Sequence, residues 1–308
     1  MHDKEIKHIE PSTLRDLVMS MYDIQHTRMI LGNRFRSASE NINYSFIKDL
    51  ESVETNVKNT IKSEVQNFPI HEWIVGQRGI SFDMAGQMIG LIGDISKFDN
   101  ISKLWSYAGL GVIKICGGCG KKYLPIEERS AWIAKTSKRL MEQYERKIVK
   151  DGETGFDIKA AAMLCNCENP TVKSVGQRKI KNTLLDYNPK LKSLCWRYGE
   201  QFVKQGDFYR KIYDDCRAGY ESREDLVAEM NGKTGKKTKH GTTKGTGHIF
   251  NMAKRKTVKI FLSHLWLVWR ELEGLPVSKP WIIDIGKHSD YIAPPGPSVA
   301  EILAGVDI

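Results

Sequence analysis

The sequence predicts a mainly α fold: a helical hairpin arm, a helix-hairpin-helix unit and a helical bundle, with a small zinc-ribbon-like insertion. Three observations predict it. Apolar residues recur at helical spacing through much of the chain. Glycines cut residues 70–110 into short helical pieces. Four of the six cysteines fall in two close pairs, at 116/119 and 165/167.

The arm is residues 1–69. "LRDLVMSMYDIQHTRMIL" (14–31) and "FIKDLESVETNVKNTIKSEV" (46–65) each carry an apolar stripe at about 3.6-residue spacing with polar residues opposite. Joined at "SASENINY", they predict an antiparallel, coiled-coil-like hairpin that packs or dimerises, and Pro69 stops the second helix. Residues 70–110 predict three short helices, "IHEWIV", 82–92 and "ISKLWSYAGL", punctuated by Gly79, Gly93 and Gly109.

Residues 111–175 hold the cysteine pairs, with a helical segment, "RSAWIAKTSKRLMEQYERKIVK", between them. Residues 176–275 predict a bundle built from "QRKIKNTLLDY", from one long segment beginning at Pro189, and from a strong helix over 249–273. A Lys-, Gly- and Thr-rich stretch at 231–247 reads as a basic loop, and the Pro-rich end, 276–308, as an extended tail.

Composition narrows the function. The chain has 308 residues, 41% hydrophobic and 27% charged, as expected of a globular protein. The longest apolar run, "IFLSHLWLVW", is too short to span a membrane and contains His264. The charged start, "MHDKEIKHIEP", predicts no secretory signal, so close cysteine pairs point to metal before disulfides. A net charge of +10 favours a polyanionic partner, nucleic acid before membrane.

The cysteines are the sharpest chemical signal. In "CGGCG" (116–120), two residues separate the thiols and a glycine follows, so the backbone can curl and aim both sulfurs at one ion. Cys165 and Cys167 are the candidate second half. A set of Cys116, Cys119, Cys165 and Cys167 would be a closed structural zinc site. The alternatives are buried free thiols and a nucleophilic Cys116. Cys195 and Cys216 lie on helical patterns and read as core, as do Trp266 and Trp269. No phosphate-loop or dinucleotide fingerprint occurs.

The turn "RGIS" opens an apolar helix, and unpaired amides at a helix start can hold a phosphate where glycine lets the backbone approach. The wider stretch 78–110 resembles the C-terminal transposase domain of the DEDD-type insertion-sequence transposases. The matching residues are Gly79, Ile80, Ala85, Gly93, Asp94, Ile95, Phe98, Leu104, Tyr107, Gly109 and Leu110. Looser similarity extends to 26–35, 176–185 and 247–265.

The resemblance implies DNA binding in recombination or transposition, through backbone contacts to duplex or branched DNA. The DNA-binding residues it and the basic segments suggest are Arg78, Gly79, Ile80, Ser81, Lys97, Lys236, Lys237, Lys239, Lys254 and Arg255. Arg78 and Ser81 replace the family's Pro and second Gly. The family's N-terminal nuclease domain has no counterpart here, so magnesium and cleavage would come with a nuclease partner, and a guide RNA is a further candidate partner. The family's nucleophilic Ser has Cys116 and Cys119 near its place, which leaves an active recombinase using Cys116 or Ser130 as an alternative. A structural adaptor that forms homo-oligomers through its N-terminal helices is another. The expected location is cytoplasmic, with a prokaryotic or viral nucleoid.

Overall fold

Helical periodicity decides most of the architecture, and the computed structural model is mainly helical. It describes residues 10–36, 45–145, 156–180, 183–223, 244–277 and 292–305. In chain order these form α1 (Pro11–Arg36), α2 (Ser45–Val65), α3 (Ile70–Val75), α4 (Phe82–Ile92), α5 (Ile101–Tyr107), β1 (Val112–Cys116), α6 (Ile126–Glu145), α7 (Phe156–Ala161), β2 (Val172–Gly176), α8 (Pro189–Gln205), α9 (Phe208–Glu221), α10 (Lys244–Leu272) and α11 (Val299–Gly305). A short 3-10 turn, Ile95–Lys97, lies between α4 and α5. The chain divides into two compact units, Met1–Leu104 with Lys190–Ile308, and Trp105–Pro189. Sequence boundaries at 110/111 and 175/176 fall inside the second unit.

In the first unit, the arm is not free-standing. Leu14, Val18, Ile61 and Val65 are fully buried, and two glycines of α4 let them approach. A Cβ at Gly86 would sit 2.5 Å from the Ile61 Cγ2, and one at Gly90 would sit 2.8 Å from the Val18 Cγ2. The apolar stripes of α1 and α2 therefore close on α4. At the polar edge of the arm, buried Glu54 is held by Arg28 at 2.8 Å and Lys58 at 2.6 Å.

The rest of this core is aromatic. Trp73 of α3, Tyr198 and Phe202 of α8, and Tyr209 of α9 surround Phe261 of α10, with ring centroids 5.0–5.8 Å from it. Trp266 and Trp269 are buried in α10, as their positions on its apolar face predict. Buried Arg270 donates to the carbonyls of Phe98 at 3.2 Å and Pro276 at 2.9 Å, which ties the segment after α4 and the end of α10 together.

Among the described residues, the C-terminal segment is fastened to this core by two side-chain hydrogen bonds and by Ile302, which is fully buried. Trp73 Nε1 donates to the Pro295 carbonyl at 2.9 Å, and His264 Nε2 meets the Ile292 carbonyl at 2.8 Å. That carbonyl can only accept, so Nε2 carries the proton and Nδ1 accepts from the Tyr209 hydroxyl at 3.0 Å. Burial pushes His264 down to about 4. The unfolded histidine takes a proton near 6.5, so between these values the unfolded state binds more protons, and stability falls as pH falls. Burial lowers His71 too, with the same sign. Denaturant midpoints should drop from pH 7 to pH 5, by up to about 1.4 kcal/mol per pH unit for His264. His264→Gln should flatten that slope; an unchanged slope would contradict the assignment.

The structure departs from the sequence expectation in five places, and the first is the tail read as extended, whose described residues include the helix α11. "QRKIKNTLLDY" is not a helix among its described residues. Its backbone and side chains go to partners in the second unit instead: the Gln177 amide donates to the Gly111 carbonyl, Arg139 donates to the Leu185 carbonyl, and Asp186 pairs with Lys122. The long segment from Pro189 breaks into α8 and α9 at Gly206, whose φ of 67° is left-handed. The strong helix begins at Lys244 rather than Ile249, within the segment read as a loop. Cys195 is core, but Cys216 is only half-buried.

Candidate metal centre and basic surfaces

The second unit is built around a two-stranded antiparallel ribbon. Val112, Ile113 and Ile115 in β1, and Val172 and Val175 in β2, are β-branched residues suited to a pleated surface. The strands pair from Val112 opposite Gly176 to Cys116 opposite Val172, so the first cysteine sits at the ribbon's end.

The chain curls there. The Gly120 amide donates back to the Cys116 carbonyl at 2.9 Å, and Gly120 has a left-handed φ of 69°. The Cys116 amide donates to the Lys121 carbonyl at 2.9 Å, closing the loop. The second pair arrives after α7, where the Cys165 amide donates to the Lys122 carbonyl at 2.9 Å. Arg129, from the first turn of α6, clamps this pair: its Nη2 donates to the Cys165 carbonyl at 2.9 Å and its Nε to the Leu124 carbonyl at 3.1 Å.

The result is a cluster. The sulfurs of Cys116, Cys119, Cys165 and Cys167 all lie within 4.8 Å of one another, a group that can hold a metal ion. Cys116 and Cys167 are 3.9 Å apart, and tetrahedral zinc with bonds of about 2.3 Å needs about 3.8 Å between sulfurs. Cys116 and Cys165 are buried, while Cys119 and Cys167 face outward. Charge is divided unequally among them. Amide hydrogen bonds, first from Cys119 and then from Gly118, bring the Cys116 thiol down to about 6. Bonding to its neighbours, Cys165 foremost, pushes Cys167 up to about 12. Without a cation the Cys116 thiolate is favoured, while those of Cys165 and Cys167 are disfavoured. A divalent ion removes that penalty, so the donor set fits a soft metal.

The proposed DNA contacts fare unevenly. Arg78, Gly79 and Ser81 share an exposed turn between α3 and α4, where Ser81 caps α4 by accepting from the Met84 amide at 3.3 Å. Gly79 has a left-handed φ of 88°, and a Cβ there would run into the Gln205 side chain. The left-handed backbone and the close approach of Gln205 therefore account for a glycine in this exposed turn. Ile80 is a buried peg, 7% exposed. Asp83, half-buried in the first turn of α4, keeps one carboxylate oxygen without a partner among the described residues and opposes an anion there.

Lys97 is exposed but lies beyond the far end of α4, roughly 16 Å along that helix from the turn. Lys254 is corrected outright: it is 5% exposed, bonded to Glu200 and packed over the Trp196 and Phe250 rings. Arg255 is half-buried. Lys236, Lys237 and Lys239 lie outside the described residues. Ser130 is exposed on α6, whereas Cys116, 1% exposed, is held in the thiol cluster.

Sequence reading missed Arg129 and the partial burial of Lys192 and Lys259. Only spatial neighbours distinguish these from ordinary surface charges. Among the described residues, no helix is long and apolar enough to cross a membrane. No protein-family model, curated protein or solved structure matches the chain.

Proposed function

We propose that the protein binds nucleic acid, DNA foremost, through sequence-blind phosphate contacts. In this reading Cys116, Cys119, Cys165 and Cys167 hold a structural zinc ion that fixes the second unit. The observation that carries it is the joining of the thiol cluster to a basic module. Trp105–Pro189 contains fifteen Lys and Arg against nine Asp and Glu, a net +6 of the chain's +10. Zinc with four thiolates removes about two of those charges and leaves the unit positive. Lys114, Lys173, Arg178 and Lys179 are exposed, and the Lys173 stem runs beside Gly117 in the cysteine loop. Such a site has no open coordination position, so the metal supplies rigidity rather than chemistry.

The similarity of residues 78–110 to the insertion-sequence transposases extends the reading to DNA recombination or transposition, with strand cleavage supplied by a partner chain. Phosphate contacts position a protein without reading bases. Unrelated duplexes of equal length should therefore bind within a few-fold of one another in fluorescence anisotropy. A preference above about 100-fold for one sequence would instead require base readout, which typically yields about 1–3 kcal/mol per contacted base.

A further inference from the structure

Directly opposed residues of an antiparallel pair put their side chains on one face, and successive residues alternate between faces. The β1–β2 register therefore sorts the ribbon into two sides. On one, Ile113 opposes Val175 and Ile115 opposes Lys173. This side packs inward: Ile115 is 7% exposed, Ile113 and Val175 are half-buried, and the Lys173 stem lies along the cysteine loop. The other side carries Val112 opposite Gly176, Lys114 opposite Ser174, and Val172 opposite Cys116. Lys114 and Ser174 are exposed, as are Val112 at 65% and Val172 at 42%. Two outward valines beside a lysine and a serine make this face part apolar and part polar, and the cysteine cluster closes one end of it.

Charge and size decide what fits. Residues 111–122 and 171–179 contain Lys114, Lys121, Lys122, Lys173, Arg178 and Lys179 and no acidic residue. Lys121 donates to the Ala162 carbonyl at 2.9 Å, and Lys122 pairs with Asp186. Lys114 stands on the outer face, while Arg178 and Lys179 follow β2 just past its last residue, and all three are exposed. The complementary partner is anionic. The two strands stand about 4.8 Å apart, and their five paired positions run about 14 Å. A ribbon of that width enters the major groove of B-form DNA, which is about 12 Å wide. The deep, narrow major groove of A-form RNA does not admit it. The face is also undemanding about sequence, since a serine hydroxyl suits either a donor or an acceptor on a base edge and valines offer only apolar contact.

We infer that the outer face of the β1–β2 ribbon, centred on Lys114 and Ser174, docks in the major groove of duplex DNA, with Arg178 and Lys179 on the flanking phosphates. This rests on the nucleic-acid reading above and adds to it the contact face and the form of duplex that face accepts.

The test has two arms, both by fluorescence anisotropy on the full, metal-loaded chain. The first compares a random-sequence DNA duplex with an RNA duplex of the same sequence at one salt concentration. DNA should bind more tightly by at least about tenfold. Equal binding, or tighter binding of RNA, would overturn groove docking and leave the nucleic-acid reading in place. The second arm compares two variants that each remove two charges: Lys114→Gln with Lys179→Gln on the ribbon, and Lys135→Gln with Lys138→Gln at exposed positions of α6. On the DNA duplex, the slope of log K against log salt should become shallower by about 1–2 for the ribbon variant and stay unchanged for the α6 variant. Equal changes in both, or no change in the ribbon variant, would overturn the assignment of this face. If the wild type binds neither duplex, the nucleic-acid reading fails and the inference with it. Thermal melting checks that each variant is folded; should the ribbon variant unfold, the DNA–RNA comparison decides without it.

Discussion

Cys116→Ser is expected to loosen the whole Trp105–Pro189 unit, and so is stripping the protein with a strong chelator. The reason is the size of its core. Among the described residues, the fully or nearly buried apolar side chains of this unit are Ala108, Leu110, Ile115, Ala160 and Leu164, together with two of the cysteines themselves. Among the described residues this is a small apolar set for a unit of this length, and small domains generally need a staple. A structural zinc site contributes about 10–16 kcal/mol in small metal-dependent modules, comparable with the ~5–15 kcal/mol net stability of a domain. Losing a buried ligand at the end of β1 should therefore cost most of the unit's stability. Hydrogen-exchange mass spectrometry should show protection lost by at least about tenfold across 112–116, 164–167 and 172–176, with the Phe261 core unaffected. Metal analysis should find about one zinc per chain in the wild type and a loss in the variant. Unchanged protection after chelation would mean that the four thiols are simply packed side chains.

Phe261→Ala is expected to destabilise the first unit by about 3–5 kcal/mol. The ring is fully buried and touches aromatic rings from α3, α8 and α9. Its removal leaves a cavity walled by Trp73, Tyr198, Phe202 and Tyr209, none of which can swing in without breaking its own packing. Tyr198 is also fixed by donating to the Met84 carbonyl at 3.0 Å, so the loss reaches α4 and its turn. Melting temperature should fall by roughly 10 °C, at about 2–4 °C per kcal/mol for a unit of this size. Phe261→Leu should recover much of the loss, whereas equal effects of the two changes would place the ring outside the core.

Much of this was legible because helices and cysteine loops announce themselves locally. The arm's stripes appear as α1 and α2, and glycine punctuation marks the ends of α3 and α4. The spacing of Cys116 and Cys119, with a glycine next, identifies half of a cluster without any structure. What could not be read depends on distant partners. Residues 177–187 have helical composition, yet Asp186 is taken by Lys122 and the Leu185 carbonyl by Arg139. Lys254 and Lys259 look equivalent on a basic helix. One is buried against Trp196 and bonded to Glu200, while the other is half-buried without that pairing to Glu200. Gly79 fits a phosphate-facing turn by sequence, but the space beside it belongs to Gln205, which is 126 positions further along.

The central claim is phosphate-directed nucleic-acid binding, and the most direct measurement is a salt titration of the full, metal-loaded chain against a random-sequence duplex. The account predicts tight binding near 50 mM salt and a linear fall of log K with log salt. With about five or more phosphates neutralised, the slope should be at least about −4 to −5, since each contributes roughly −0.9. A slope near zero, or no binding at low salt, would contradict the account and leave the basic unit and its cysteine cluster to some other partner.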